Sequence, residues 1–335
     1  MGEGRIIKID FTDFWPGFNK KDNYFYNILA KKYNVEISDK PEYLFCSCFG
    51  NKHFRYKDCV KILFVGENVV PDFNLYDYAM GFHYISFEDR YLRLPLYVLY
   101  EEERDLALKK HLFSDEYYLS KNKFCNYVIS NPNGASERDY MTKLLEEYKE
   151  VGSGGKYKNN VGGPVKDKLA FEKEYRFTMA FENSATGGYT TEKLLEAFAG
   201  DTIPIYWGSP EIANEFNPKA FINCHDYETL EQVMERVKEI DGNDELYLQM
   251  IKSPIVTEAS EAKICFEQQY TEAFLSHIFE QKKENAFRRN MVYIGKDYQE
   301  KLKDAKRVQD MLDVVKRPIH LMNKVKAQAL SKYKK

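Results

Sequence analysis

The sequence lacks the features that mark secreted, disulfide-bonded and membrane-spanning proteins. Its six cysteines form no repeated CxxC pattern, so we expect reduced and mostly buried thiols. The first residues, MGEGRIIKIDF, contain no apolar core of a signal peptide, and no run approaches the ~20 apolar residues that a membrane span requires. There is also no internal repeat. We therefore expect a cytoplasmic protein, either free or peripheral on the inner face of the membrane.

Composition and charge are those of a soluble globular protein. The 335 residues are 44% hydrophobic and 30% charged, and the length favours about two domains. The net charge is only −3, yet residues 314–335 carry seven basic side chains and no acid. This tail is a weak signal for an anionic membrane surface, and a solvated terminal helix is the alternative. The acidic body disfavours nucleic-acid binding.

Apolar, β-rich runs alternate with helical spacing, which is typical of βαβ units around parallel sheets. The predicted strands cover residues 5–11, 43–49, 60–65, 126–130, 176–180, 202–207 and 221–224. The predicted helices cover residues 23–33, 136–148 and 227–240, one starting near Thr191, one capped by Ser209 before Pro210, and one beyond Asp297 that Pro318 interrupts. Residues 151–164, with five glycines, are predicted to form a loop.

The charged stretch 101–123 has no strand signal and is the best candidate for a domain boundary. We therefore predict an α/β protein with domains at 1–122 and 123–295 and a helical C-terminal extension at 296–335.

The most informative segment is 181–218, which contains a strand, a polar glycine-containing loop and a helix. Five polar residues lie where the strand turns into the helix: Glu182, Asn183, Tyr189, Glu192 and Lys193. Ligands of open α/β sheets bind at this end of the strands. A helix start also favours a phosphate. The residues alone therefore predict an anionic, nucleotide-like ligand.

Several motifs resemble one enzyme family. F-E-N-S at 181–184, Y-T-T-E-K at 189–193, T-I-P-I-Y-W-G at 202–208 and F-N-P-K-A-F-I-N at 216–223 are similar to the signature block of the α-1,3/4-fucosyltransferases, the Lewis-type glycosyltransferase family 10. The runs at 66–82, 90–97 and 130–138 resemble bacterial members, notably those of Helicobacter. The resemblance covers roughly residues 5–280. Thr190 departs from the valine that is common in the family.

The resemblance implies a GT-B fold, in which two Rossmann-like lobes face one another. The C-terminal lobe would bind GDP-β-L-fucose and the N-terminal lobe much of a Gal-GlcNAc acceptor. L-fucose would move with inversion to the 3-hydroxyl, or the 4-hydroxyl, of GlcNAc and so form Lewis-type structures. The chain has no D-x-D triplet, so we expect no metal or other cofactor beyond the donor substrate. Two alternatives stay open: a GT-B transferase for another nucleotide sugar, and a non-catalytic nucleotide-sugar or glycan-binding protein.

Donor roles also follow from the resemblance. Lys193 and Arg138 match cations that contact the diphosphate, and Glu192 matches a residue that holds the fucose hydroxyls. Asn183 and Tyr189 are expected on the nucleotide. Glu182 is expected either to line the donor site or to orient its neighbours. The structural alternatives are a solvated first-turn lysine, a surface arginine and a glutamate that only favours the helix dipole.

The general base is expected on the other lobe. Glu67 follows a predicted buried strand and should emerge facing the donor lobe, and the family match places a catalytic carboxylate there; a structural glutamate is the alternative. His53 and His83 are weaker candidates for the base, and Lys158 is expected to be a surface lysine. Four residues after the first strand, Asp13, Phe14, Trp15 and Phe18, are predicted to shape the acceptor cleft, with core packing as the alternative. The linkage, the acceptor type and the oligomeric state stay open.

Overall fold

The computed structural model describes the backbone of residues 5–332 and the side chains of residues 5–110 and 112–314. The basic side chains predicted to meet an anionic surface, from Lys316 onward, lie outside the described side chains. Within the described chain, no helix is both long and apolar enough to cross a membrane.

The N-terminal lobe is built on a six-stranded sheet in which every neighbouring pair is parallel. Its order is β2-β1-β3-β4-β5-β6. The strands are β1 Ile6–Thr12, β2 Asn34–Ile37, β3 Tyr43–Cys46, β4 Val60–Phe64, β5 Tyr78–Gly81 and β6 Tyr91–Arg93. Every residue of β3, β4 and β5 is buried, as expected for parallel strands covered on both faces.

The C-terminal lobe is built on a five-stranded parallel sheet of order β11-β10-β9-β7-β8. Its strands are β7 Lys123–Tyr127, β8 Val151–Ser153, β9 Tyr175–Phe181, β10 Ile203–Trp207 and β11 Ile222–Asn223. The predicted two-lobe α/β architecture is therefore confirmed. The prediction of a loop over 151–164 was wrong at its start, because Val151–Ser153 is buried and pairs with β7.

Helices cover the sheets and connect the strands. They are α1 Tyr24–Ala30, α2 Glu101–Ala107, α3 Asp115–Leu119, α4 Ser136–Tyr148, α5 Lys168–Glu172, α6 Lys193–Ala199, α7 Ile212–Glu215, α8 Leu230–Asp241, α9 Asp244–Ile251, α10 Glu261–Cys265, α11 Gln268–Glu280, α12 Lys283–Ala286 and α13 Ile294–Lys332. Helix α13 continues through Pro318, so the predicted interruption was wrong: a proline removes one backbone donor, and here the helix continues on both sides.

Ser209 does not cap the helix that follows it. Helix α7 begins at Ile212, and the Ser209 hydroxyl instead accepts a hydrogen bond from the Gly188 backbone N–H at 2.9 Å. The prediction of an N-cap at Ser209 was wrong because this side chain serves a tertiary contact.

The last helices of the second half of the chain return to the first lobe. Phe279 of α11 packs edge-on against Tyr43 of β3, with ring centres 4.3 Å apart. The Tyr24 hydroxyl and the Thr271 hydroxyl lie 3.0 Å apart. The N-terminal sheet is therefore covered partly by residues distant in sequence, and the predicted domain limits stay predictions.

Candidate active site

The strand-to-helix turn after β9 is organised around the buried carboxylate of Glu182. Its Oε1 accepts the Thr191 backbone N–H at 2.7 Å, and its Oε2 accepts the Thr191 hydroxyl at 2.7 Å and Lys193 Nζ at 2.9 Å. Burial raises the pKa of Glu182 above its ordinary value although Lys193 opposes this. Glu182 is fully buried and fixes the positions of Thr191 and Lys193 through these hydrogen bonds; its role in the donor site stays a prediction.

Lys193 begins α6 and has one N–H that makes no hydrogen bond among the described residues. Its ammonium group has three donors; one goes to Glu182 and one to the Thr191 hydroxyl at 3.0 Å. Burial lowers the pKa of Lys193, but Glu182 and Glu192 outweigh this and raise it overall, so the group stays charged. Glu192 lies 3.9 Å from the ammonium, and its side chain is 21% exposed. The turn thus presents a fixed cation beside a partly accessible carboxylate.

Glu67 lies in the loop after β4, is exposed, and reaches the other lobe. The hydroxyl of Tyr189 donates to Glu67 Oε2 at 3.2 Å. Burial, with Glu182 and Glu67 nearby, raises the pKa of Tyr189 above its ordinary range, so the phenol remains a donor. Tyr189 is only 1% exposed. The expected position of Glu67 facing the donor lobe is therefore observed, and Tyr189 contacts this carboxylate.

Asn68, next to Glu67, makes a second contact between the lobes. Its side-chain N–H groups donate to the Ser184 hydroxyl at 2.7 Å and the Thr186 hydroxyl at 2.8 Å. Asn183, in the same loop, is partly exposed. The loop 183–189 is thus attached to the segment that carries Glu67.

A buried ion pair lies on the other side of this loop. Arg93 Nη2 of β6 lies 2.8 Å from Glu215 Oε1 of α7, and the two side chains are 10% and 0% exposed. Arg93 also donates to the Gly188 carbonyl at 3.2 Å, and Thr190 donates to Glu215 at 2.8 Å. This pair joins the two lobes through the loop 183–189, named the donor loop below for its predicted role. The sequence analysis missed it; an arginine inside the apolar run L-R-L-P-L was the available signal.

Arg138 lies in the first turn of α4 and is 2% exposed. Its guanidinium donates to the carbonyls of Asn131 and Pro132 at 3.2 and 2.9 Å, and its Nε has no partner among the described residues. The described contacts do not join it to Lys193. Lys158 is exposed and lies 3.7 Å from Asp139. The structure therefore brings Glu67, Tyr189, Glu182 and Lys193 together and places Arg138 beneath a neighbouring loop.

Asp13, one of the residues predicted to shape the acceptor cleft, is held by other protein groups. Its carboxylate accepts the backbone N–H groups of Lys52 and His53, and it lies 2.8 Å from His53 Nδ1. Burial raises the pKa of Asp13, but these His53 and Lys52 contacts outweigh it and lower the pKa overall. His53 is likewise buried in this pair. Neither group offers a free carboxylate or base.

Phe14, Trp15 and Phe18 form an aromatic cluster that is partly exposed. The rings of Phe14 and Phe18 stack at 4.1 Å, and Trp15 packs edge-on against both. Trp15 and Phe18 line a cavity of about 510 Å³ whose rim includes Glu101, Glu102 and Glu103. The remaining candidate base, His83, is partly buried, which lowers its pKa.

The described residues contain no cluster of three or more His, Cys, Asp or Glu side chains that could hold a metal ion.

Comparisons with known proteins match this arrangement lobe by lobe. The model of the alpha-(1,3)-fucosyltransferase FucT N-terminal domain matches residues 9–100, and that of the C-terminal part of glycosyltransferase family 10 (fucosyltransferase) matches residues 118–273. The alpha-(1,3)-fucosyltransferase FucT of Helicobacter pylori is 34% identical in an alignment of 291 positions that covers 75% of this chain and 61% of that protein. Alpha-(1,3)-fucosyltransferase B of Drosophila melanogaster is 29% identical over 51% of this chain and 43% of its own length.

Solved structures agree. An alpha1,3-fucosyltransferase structure superposes with a TM-score of 0.75 at 28% identity and covers 87% of this chain and 94% of that one. A second alpha1,3-fucosyltransferase structure, with GDP-fucose, superposes with a TM-score of 0.71 at 28% identity and covers 84% of this chain and 93% of that one. This chain spans about three fifths of the Helicobacter relative's length. Two parallel-sheet lobes facing across the Glu67–Tyr189 contact, and family models that match one lobe each, lead to one conclusion: the chain has the GT-B fold and belongs to glycosyltransferase family 10, the fucosyltransferases.

Proposed function

We propose that this chain transfers L-fucose from GDP-β-L-fucose to the 3-hydroxyl of GlcNAc in lactosamine-type glycans, with inversion, to give Lewis-type products. The observation that carries the proposal is the 3.2 Å contact between Tyr189 Oη and Glu67 Oε2. It joins an exposed carboxylate of one lobe to the loop of the other lobe that leads to Lys193. A solved relative bound to GDP-fucose supports the choice of donor.

In the proposed reaction, Glu67 accepts the proton of the acceptor hydroxyl. The hydroxyl oxygen attacks the anomeric carbon of fucose at the same time. The bond from this carbon to the GDP oxygen breaks on the opposite face, and GDP leaves with an added negative charge. A base of this kind contributes about 10²–10⁴-fold to the rate. Tyr189, as a donor to Oε2, would hold the carboxylate in position and leave Oε1 for the proton.

The leaving diphosphate needs positive charge. Lys193 would use the N–H that Glu182 and Thr191 leave free, and losing such a donor costs about 10²–10³-fold in rate. Arg138 would supply a second charge from beneath the loop 131–134, since its Nε is unpaired among the described residues. Glu192 would hold the fucose hydroxyls. On this proposal the transfer needs no metal and persists in EDTA.

The test is Glu67→Gln, because glutamine keeps an oxygen that can accept from Tyr189 but cannot act as a base. We expect GDP binding to be retained and fucose transfer to fall at least a hundredfold. Glu258→Gln, at a carboxylate that is 94% exposed, is the matched control and should transfer normally. Near-normal transfer by Glu67→Gln would eliminate Glu67 as the base.

The substrates are tested with the unaltered chain. The chain is assayed with several nucleotide sugars as donors and with N-acetyllactosamine, its type 1 isomer and lactose as acceptors. We expect GDP-fucose to be the donor that reacts. Linkage analysis of the products then identifies the hydroxyl that receives fucose. Transfer from another donor would favour a different GT-B activity. Binding without transfer to any acceptor would favour a non-catalytic role.

A further inference from the structure

A second cavity lies on the N-terminal lobe, away from the donor loop. It has a volume of about 300 Å³, which is the lower end of the range for small-molecule sites. Its lining comes from the segment before β4, from the chain after α12 and from the first turns of α13. Because residues 56–61 lead into β4 and Glu67 follows it, the cavity and the proposed active site lie at opposite ends of this strand.

The lining carries an excess of positive charge. Four lysines, Lys57, Lys61, Lys296 and Lys303, face two acids, Asp58 and Glu300. On α13, residues 296, 299, 300 and 303 have the spacing of a single helical face. The rest of the wall is largely apolar, with Phe54, Tyr56, Phe287 and Met291. An anion attached to an apolar or planar body fits such a lining.

Lys61 is the unusual member of this set. It is only 3% exposed, and its ammonium group has no hydrogen-bond or ion-pair partner among the described residues. A buried charge without a partner is costly. Burial, together with the nearby Arg289, lowers the pKa of Lys61 to about 8.

Asp77 is a buried acid near Lys61, but its two oxygens bind other groups. Asp77 Oδ1 accepts the backbone N–H groups of Arg288 and Arg289, both at 2.8 Å. Its Oδ2 accepts the Lys61 backbone N–H at 2.7 Å and lies 2.9 Å from Arg289 Nε. With both oxygens occupied, Asp77 pairs with Arg289 and makes no hydrogen bond to the Lys61 ammonium. Among the described residues, the two acids of the lining, Asp58 and Glu300, form no ion pair with Lys61 either.

From this juxtaposition we propose that the cavity binds a phosphate monoester, with the phosphate on Lys61 and Lys303 and the body of the ligand against Phe54 and Phe287. Two kinds of molecule carry such a phosphate monoester: a soluble phosphate ester and a lipid with a phosphate headgroup. The bound phosphate supplies the charge that Asp77 cannot.

The experiment is calorimetric titration with glycerol 3-phosphate and with inorganic phosphate. Saturating GDP is present throughout, so that the proposed donor site is occupied. We expect binding that weakens about tenfold or more in Lys61→Met, because a charge-assisted hydrogen bond is lost. Lys303→Gln, on the surface of α13, should weaken it severalfold without disturbing β4. Lys301→Gln is the matched control, since Lys301 is exposed and outside the cavity, and should bind as the parent does.

Proton uptake gives a second readout. At pH 8 a lysine with a pKa of about 8 is half protonated, so phosphate binding should draw in up to about half a proton per site. The groups that face Lys61 are Cys46, Cys59, Asp77, Arg289 and the charged lining residues named above. Burial raises the pKa of both thiols, so they stay protonated at pH 8. The uptake, measured in two buffers of different ionisation enthalpy, should vanish in Lys61→Met.

Vesicles distinguish the two ligand sources. If association with phosphatidic acid in phosphatidylcholine vesicles falls in Lys303→Gln and not in Lys301→Gln, the ligand is a lipid headgroup; if only glycerol 3-phosphate binding falls, it is soluble. Absence of phosphate-ester binding by the parent, or binding that both Lys61→Met and Lys303→Gln leave unchanged, overturns the proposal. Neither result bears on fucose transfer, because the variants lie outside the proposed active site.

Discussion

Glu172 illustrates how burial alone can set the charge of one side chain near the proposed donor site. It is 1% exposed, and its Oε2 has no partner among the described residues. Burial raises its pKa from 4.5 to about 7, although Lys168 opposes the shift. Lys168 lies 3.7 Å from Glu172 and also contacts Glu196 of α6. The carboxyl is therefore protonated in the folded state well above the pH at which the unfolded chain loses this proton.

This raised pKa predicts a stability change with a defined sign. Between pH 4.5 and 7 the folded state holds a proton that the unfolded state releases, so the free energy of unfolding falls as pH rises through this window. Above pH 7 the free energy of unfolding is lower by about 3 kcal/mol than it would be without this pKa shift. Glu172→Gln removes the titration, so we expect its melting temperature to exceed the parent's by a clearly larger margin at pH 8 than at pH 5.5. Glu174→Gln, at an exposed glutamate, should show no such difference, and an equal effect of Glu172→Gln at both pH values would contradict the assignment.

At the residue scale, the sequence identified the proposed site better than it identified each role. Glu67 and Lys193 occupy the expected positions because each directly follows a strand or begins a helix, which local patterns reveal. Glu182 and Asp13 are buried, and their carboxylates bind protein groups. Their partners, Lys193 and His53, lie 11 and 40 residues away in the sequence. No local sequence pattern indicates which distant group will form a hydrogen bond or an ion pair with a given carboxylate.

At the element scale, the donor loop depends on one glycine. Gly188 has φ +80°, and a Cβ there would lie 2.4 Å from the Phe82 carbonyl of the other lobe. Both the backbone conformation and this close approach require glycine. The neighbouring Gly187 lacks the positive φ, and its Cβ would meet only the end of the flexible Glu211 side chain.

Gly188→Ala should therefore displace the loop that carries Tyr189, whereas Gly187→Ala should be tolerated. We expect fucose transfer to fall at least tenfold in Gly188→Ala, with the circular dichroism spectrum unchanged, because the Tyr189–Glu67 contact is lost while both sheets persist. Gly187→Ala serves as the matched control. Equal activities of the two variants would show that the close approach to Phe82 does not position the loop.

Several elements followed their local signals, whereas four strands, β2, β5, β6 and β8, were not predicted. Helix α4 has the predicted limits, 136–148, because its apolar spacing is regular. Strand β8 was missed because three residues containing a glycine carry almost no strand signal, and pairing with β7 stabilises them. Ser209 has the sequence signal of a cap, yet the Gly188 N–H at 2.9 Å uses its hydroxyl.

At the scale of the whole molecule, the Arg93–Glu215 pair fixes the two lobes relative to each other. Glu215 is fully buried and the Arg93 side chain is only 10% exposed. Removing Arg93 leaves the Glu215 carboxylate without its cation, at a cost of about 3–5 kcal/mol, whereas Arg93 without Glu215 still has Glu261 at 3.3 Å. Removing both leaves no such charge. The pair should therefore be strongly coupled.

A double-mutant cycle measures this coupling. We expect Arg93→Met and Glu215→Gln each to lower the melting temperature by several degrees, and the double variant to be less destabilised than the sum of the two. The exposed pair Arg236–Glu239 supplies the control, because removing such a pair costs at most about 1 kcal/mol. Additive effects at Arg93 and Glu215 would mean that the pair does not hold the lobes together.

The sequence by itself determined the architecture and the family, since apolar periodicity specifies parallel strands and the ordered motifs lie at the ends of those strands. It also placed Glu67 and Lys193 on different lobes. Only the tertiary structure decided which charges meet: Glu182 with Lys193, Arg93 with Glu215, Asp77 with Arg289, and none of the described acids with Lys61. The physical reason is that burial makes each pairing depend on every neighbour that displaces water, and those neighbours come from segments far apart in the chain.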